Sequence, residues 1–227
     1  MAIKYTFVGH GTHMLDISGT TVLIDPFFTS NPMTDVAADS VNPDVILVSH
    51  GHFDHVEDLV SIAKRTGAKV VSNFEIIGWL QNQGIENVHP QHIGGGFTHE
   101  FGHLKLTIAH HGSGLPDGSY GGNPAGLLIT AEGKKLYFAC DTALFLEMEL
   151  YGRAGIDLFV PPIGDNFTMG PDDALEAVKL VKPKVAVPCH YNSWPPIEQD
   201  ADAWAERVEA ETDTQVHVLA PGESIDI

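Results

Sequence analysis

The segment Ser49-His50-Gly51-His52-Phe53-Asp54-His55 places four side chains able to bind a metal ion within six residues. Imidazole nitrogens and a hard carboxylate oxygen form a donor set suited to zinc, and also to manganese or iron. His50 and His52 stand two apart, so an extended backbone turns both the same way, while Asp54 and His55 come from the turn that follows. A single histidine after a strand is ordinarily a hydrogen-bonded core residue. Four ligand types packed into H-x-H-x-D-H point to a metal instead. Directly ahead runs Asp44-Val-Ile-Leu-Val48, an unbroken apolar stretch that reads as a strand covered on both faces. The end of such a strand delivers side chains into the crevice where α/β proteins bind ligands.

Three later positions repeat this context. His111, with His110 beside it, follows the apolar run Leu104–Ala109; Asp141 follows Leu136–Cys140; His190 follows Val185–Cys189. Brought to one sheet edge, they complete a set large enough for two metal ions. Cys140 and Cys189 directly precede two of these residues, and alternation along a strand turns each thiol away from its neighbour. Two cysteines are also too few for a disulfide framework or a cysteine-built zinc site, so both read as free buried thiols. No G-x-S-x-G elbow is present, which disfavours covalent catalysis.

The elements that must position these groups alternate along the chain. Lys4–Val8 and Thr21–Asp25 read as strands, with a turn at Gly19, and Lys69–Val71 as another. Val56, Leu59, Val60 and Ala63 fall at helical spacing up to Gly67. Ser72-Asn-Phe-Glu75 fits a capping box for a helix ending near Gly84. Ala125–Thr130, Lys135–Ala139, Asp157–Val160, Lys184–Val187 and Gln215–Leu219 read as further strands. Pro171, with Asp172 and Asp173 behind it, opens a helix that Pro183 ends, and another helix is expected near Asp200–Ala210. The segment His110–Pro124 holds five Gly and two Pro and reads as a surface loop, its Gly112–Asn123 portion as a roof over the site.

Composition narrows the partners. Across 227 residues, twelve Lys and Arg against thirty Asp and Glu leave a net charge of −18, which repels nucleic acid and anionic membranes. With 43% hydrophobic and 19% charged residues the chain is globular, and residues 1–227 read as one domain, a layered α/β sandwich built from two strand-rich halves. No apolar run approaches the ~20 residues that span a bilayer. The lead-in Met1-Ala-Ile-Lys-Tyr-Thr-Phe7 lacks the apolar stretch of a secretory signal, so a cytoplasmic protein acting on a small molecule is expected.

The order H-x-H-x-D-H, separate His, Asp, final His resembles the metallo-β-lactamase superfamily. Gly9-His10-Gly11, Leu23-Ile-Asp25-Pro26-Phe27, Gly164-Asp-Asn-Phe-Thr-Met-Gly-Pro171 and His190-Tyr-Asn192 extend the resemblance over nearly the whole chain. They are similar to the bacterial and archaeal family of metal-dependent hydrolases akin to L-ascorbate-6-phosphate lactonases. The resemblance implies a four-layer αββα sandwich with a dinuclear site at one edge, holding two divalent ions, zinc foremost. It assigns His50, His52 and His111 to one ion and Asp54, His55 and His190 to the other, with Asp141 bridging. The ligand stands directly before Gly-Ser in this family, which selects His111 over His110. A homo-oligomer is implied as well.

The same resemblance makes Asp25 a partner orienting a ligand histidine, or else a plain strand-end turn residue. It sets His10 and Asn166 toward the substrate; their alternatives are a structural turn histidine and a helix cap. The implied chemistry is hydrolysis of an ester, lactone or phosphoester by a hydroxide that two ions generate, since a divalent ion lowers the pKa of water from 15.7 to about 7. Asp54 and Asp141 are then the catalytic carboxylates, with Asp54 as proton relay. A phosphodiesterase or nuclease and a non-catalytic metal-binding module are the competing readings. His13, His89, His92, His99, His103 and His217 show no partner spacing. Trp79, Trp194 and Trp204 read as core or rim packing, and Phe97, Leu115 and Tyr120 as loop residues.

Overall fold

Alternate residues along each central strand face different apolar layers, and that alternation builds the molecule. A computed structural model describes residues 3–227; Met1 and Ala2, which open the segment read for a secretory signal, lie outside them. The first half supplies β1 (Ile3–Gly9), β2 (Thr12–Ile17), β3 (Thr20–Ile24), β4 (Val45–Leu47), β5 (Lys69–Ser72) and β6 (Val88–Pro90). The second supplies β7 (Gly96–His99), β8 (Gly102–Ile108), β9 (Ala125–Ala131), β10 (Lys134–Phe138), β11 (Leu158–Val160), β12 (Val185–Ala186), β13 (Gln215–Val216) and β14 (Ser224–Asp226). Among the described residues they form two sheets, ordered β14-β1-β2-β3-β4-β5-β6 and β13-β12-β11-β10-β9-β8-β7.

Each half repeats one plan. An antiparallel meander, β1–β3 or β7–β10, passes into parallel strands joined by crossovers, β3–β6 or β10–β13. On β4, Val45 and Leu47 point between the sheets to meet Leu127, Phe138 and Val160, while Ile46 points outward. The helices α1 (Phe53–Val56), α2 (Leu59–Thr66) and α3 (Phe74–Asn82) belong to the first half; α4 (Met148–Gly152), α5 (Pro171–Val181) and α6 (Ala201–Glu211) belong to the second. Leu59 and Ile62 of α2 and Ile76 and Leu80 of α3 cover the outer face of the first sheet. Leu175 and Val178 of α5 and Trp204 and Val208 of α6 cover the second. The result is the αββα sandwich that the sequence implies.

Several local expectations change. Between the two N-terminal strands lies β2, whose polar start at Thr12-His13 hides its alternation; the turn at Gly19 therefore joins β2 to β3. The short strands β6, β7 and β14 and the one-turn helix α4 carry too few residues to show a period. Ser72 is not the cap of α3. Asn73 takes that place, its Oδ1 accepting from the Ile76 amide at 2.9 Å, while Ser72 Oγ donates to the Val48 carbonyl at 2.9 Å.

The segment after β8 does not roof the site. Leu115 packs into the outer core of the first sheet, and Asn73 Nδ2 donates to the Gly121 and Asn123 carbonyls at 2.7 and 3.2 Å. The loop is thus pinned down against α3, where burial of Leu115 and satisfied backbone carbonyls hold it.

Candidate metal centre

The strand ends converge at one edge of the sandwich. Ser49 to His52 leave β4, His111 follows β8, Asp141 follows β10, and His190 follows β12. Several of these exits take left-handed backbone angles: φ is 57° at His10, 48° at Asp25, 54° at Cys140 and 55° at His190. Such angles cost energy in residues other than glycine and persist where the surroundings over-determine them. Gly11 answers a different demand, since a Cβ there would stand 2.7 Å from His55 Cε1.

Asp141 occupies the centre. Its Oδ2 lies 3.1 Å from His190 Nε2, 3.4 Å from both His55 Nε2 and His111 Nε2, and 3.8 Å from His50 Nε2. Around it the ligand atoms fall into three overlapping groups: His50 with His52 and His111; Asp54 with His55, His190 and His10; and Asp25 with His50 and His55. His110 points elsewhere, exposed with its ring 5.2 Å from Phe145. The first two bring together the residues that the resemblance assigns to each ion, with His10 beside the second set and Asp141 between them.

Hydrogen bonds behind these rings decide which nitrogen faces inward. Asp25 Oδ1 accepts from the Ser49 amide at 2.7 Å, and Asp25 Oδ2 accepts from Ser49 Oγ at 2.5 Å and His55 Nδ1 at 2.9 Å. Ser49 Oγ in turn stands 2.9 Å from His50 Nδ1. With both Nδ1 atoms donating, the Nε2 lone pairs of His50 and His55 are turned to the centre, the arrangement that metal-ligating histidines need. Asp25 and Ser49 thus hold the outward sides of the His50 and His55 rings.

His10 is wholly buried between Ser193 Oγ at 2.7 Å from Nδ1 and Asp54 Oδ2 at 3.0 Å from Nε2. Its ring lies 3.9 Å from that of His190. Burial, reinforced by His190, lowers its pKa to about 3, so it is neutral and holds Asp54 through a single N–H. Asn166 is exposed and is not among the residues that line the cavity at the cluster. Successive left-handed angles at Asp165 and Asn166 turn the loop so that the next residue, Phe167, reaches the site instead.

Charge and orphaned atoms both ask for a cation here. Burial raises the carboxyl pKa of Asp54 and Asp141, but neighbouring imidazoles more than reverse it and leave both well below the usual carboxylate range. Burial likewise opposes a proton on His55 and His190, yet the carboxylates outweigh it, lifting His55 well up and His190 to about 9. His50 and His111 are pushed down, chiefly by burial. His55 Nε2 and His190 Nε2 are buried with no hydrogen bond, although both face Asp141. Two ionised carboxylates whose pull keeps protons on the facing imidazoles of His55 and His190 form a donor set that fits a divalent cation in the protons' place. Cys140 and Cys189 lie against the inner core, and burial raises both thiols.

A cavity of about 550 Å³ opens onto this cluster, with Asp54 and His111 each keeping 14% of their side-chain surface exposed. His52, Asp54, His111, Asp141 and His190 form its floor; Phe53, Phe167, Trp194 and Pro196 form its walls. Trp194, read from the sequence as packing, therefore lines the cavity, and Phe53 and Phe167 join it. Phe53 and Phe167 lie inside the motifs His50–His55 and Gly164–Pro171, which is the signal for them; Trp194 carries none.

Residues 20–191 match the model of the Beta-lactamase superfamily domain. A UPF0173 metal-dependent hydrolase of Shouchella clausii is 48% identical over 99% of this chain and 100% of its own length. Another, from Thermus thermophilus, is 46% identical over 97% of each chain. Among solved structures, Igni18, a novel metallo hydrolase from the hyperthermophilic archaeon Ignicoccus hospitalis, superposes with a TM-score of 0.91 at 34% identity, covering 100% of this chain and 99% of its own.

Proposed function

The chain belongs to the UPF0173 metal-dependent hydrolases of the beta-lactamase superfamily, and from that premise we propose that it cleaves an ester, lactone or phosphoester bond in a small molecule at a dinuclear centre. The observation that carries this reading is the position of Asp141 Oδ2 among four imidazole nitrogens at the floor of an open cavity. His50, His52 and His111 would hold one divalent ion, Asp54, His55 and His190 the other, with Asp141 shared; zinc suits the mixed N/O set best, with manganese or iron as alternatives. Bound there, such ions would supply Lewis acidity toward a carbonyl or phosphoryl oxygen and a lowered pKa for water.

The protein's own groups set the stage for that chemistry. Asp25 and Ser49 hold the Nδ1 sides of His50 and His55, so both rings keep Nε2 toward the centre without rearranging. His10 anchors one oxygen of Asp54. Of the two carboxylates on the cavity floor Asp54 is the more exposed, 14% against 4% for Asp141, which makes it the one placed to pass a proton toward a leaving group. Access from the cavity to Asp54 and His111 favours catalysis over a non-catalytic metal-binding role.

Metal analysis of the purified protein, joined to a screen of esters, lactones and phosphodiesters, tests the reading. Stoichiometric divalent metal and turnover of one class are expected, with His52→Ala and Asp141→Ala losing both. A protein that holds no transition metal and loads none at neutral pH would overturn it.

A further inference from the structure

The cavity walls carry information about the substrate beyond the bond that is cut. Phe27 is fully buried beneath them, with its ring 5.6 Å from Phe53 and 6.1 Å from Trp194, and Trp194 packs at 4.8 Å on His10. Two wall residues are thus fixed from below. Phe53 and Phe167 are nevertheless half exposed, at 50% and 54%, large apolar surface left open beside the floor. Apolar surface of this kind, held rigid next to a polar floor, is the usual make-up of a small-molecule site.

Positive side chains are absent from this cavity: none of the chain's Lys or Arg residues lines it among the described residues. Several are engaged elsewhere. Lys69 opens β5 and pairs with Glu100 at 2.7 Å; Lys134 opens β10 and Lys184 precedes β12, both pairing with Asp157. Those are the strand starts, whereas the metal cluster stands at the strand ends. Lys179 pairs with Glu176 and Glu211, and Arg207 with Asp172. A remote phosphate or carboxylate on a substrate would find no Lys or Arg on the walls to pair with and a protein of net charge −18 around it, since the ions of the proposed centre would sit on the floor, at the scissile bond.

We infer that the substrate carries an uncharged, broad apolar group, aryl in type, flanking the scissile bond, seated against Phe53, Phe167 and Trp194, and that it bears no anionic group remote from that bond. Phosphorylated sugars and their lactones fall outside this class. The inference rests on the hydrolase reading above, whose bond type it leaves open. Burial of one aromatic group in such walls is worth a preference of roughly tenfold or more.

Two arms test it on the metal-loaded protein. Ligand-observed NMR compares a neutral diaryl ketone, which offers no bond to hydrolyse, with the same ketone bearing a para-phosphonate. The neutral compound is expected to bind at least about tenfold more tightly, and Phe167→Ala to remove most of that preference. Phe167 is half exposed, so its truncation leaves the core intact, and Trp194→Phe serves as a milder second variant. Equal or tighter binding of the phosphonate, or unchanged binding by both variants, overturns the inference. In the second arm, neutral aryl esters should exceed remotely phosphorylated ones in kcat/KM by a similar factor. Ester cleavage indifferent to remote charge would defeat the pocket inference and leave the hydrolase reading standing. Selective ketone binding with no turnover of any class would do the reverse.

Discussion

Histidine rings crowd together at two places, the strand ends around Asp141 and the meeting of β6 with β7. In the second, His89 lies 4.8 Å from His99 and 4.3 Å from Phe97, and His99 stacks on Phe101 at 5.2 Å. No carboxylate enters that cluster: His99 Nε2 meets the Gln91 amide oxygen at 3.3 Å, and nearby Glu100 is taken by Lys69. Around Asp141 the rings instead point nitrogens at two ionised carboxylates, and Asp25 and Ser49 hold their tautomers from behind. Equal richness in imidazole therefore leads to different chemistry. Buried anions faced by ring nitrogens suit a metal ion; stacked rings in an apolar rim suit packing.

The sharpest way to break this contrast is to remove what orients the rings. Asp25→Asn keeps the shape of the side chain but withdraws the charge shared by Ser49 and His55. Metal affinity, measured by competition with a chelator, should fall by about 10–100-fold. An unchanged affinity would mean that the hydrogen bonds behind the rings are incidental.

A smaller effect is expected at His10. His10→Phe removes the N–H held by Asp54 while keeping a ring to pack on His190, and should weaken metal binding toward the lower end of the same range, about tenfold. His10→Gln should restore much of the loss. A defect as large as that of His52→Ala would make His10 a direct ligand, as its place in the second ligand group allows.

The least effect on the metal is expected in the other cluster, where the consequence is one of pH. Burial, aided by His89 and Lys69, holds His99 at a pKa of about 4 in the folded protein, against about 6.5 in an unfolded chain. As pH falls from 6.5 toward 4, the unfolded chain takes up a proton that the fold refuses, so this contribution to stability is complete above 6.5 and is lost on acidification. Urea midpoints at about pH 7 and about pH 5 should show a smaller drop for His99→Gln than for the parent protein. Metal content and turnover of that variant should match the parent. A change in either would join the two clusters functionally.

Much of the centre was legible in the sequence for a local reason. His50, His52, Asp54 and His55 are neighbours in the chain, and His111, Asp141 and His190 each end an apolar run, so strand geometry alone places them at a common edge. The fold class was legible likewise, because alternation and helical spacing survive in the long elements. The strand β2 and the short edge strands were not, since a polar start or three residues leave no period to read. The Ser72 capping box failed because Asn73, one residue on, caps the helix with equal chemistry.

Residue types and their spacing pointed by themselves to which donors could gather and to a layered α/β sandwich that presents them, while the metal's identity was not fixed by an N/O donor set. Only tertiary structure decided that His10 meets Asp54 across the chain, that Ser49 links Asp25 to His50, and that Phe53, Phe167 and Trp194 rather than the Gly-rich loop enclose the cavity. These pairings join residues far apart in sequence, or set one residue's direction by left-handed backbone angles at its neighbours, as at Asp165 and Asn166. Distance along a chain carries no direction in space. Packing supplies it.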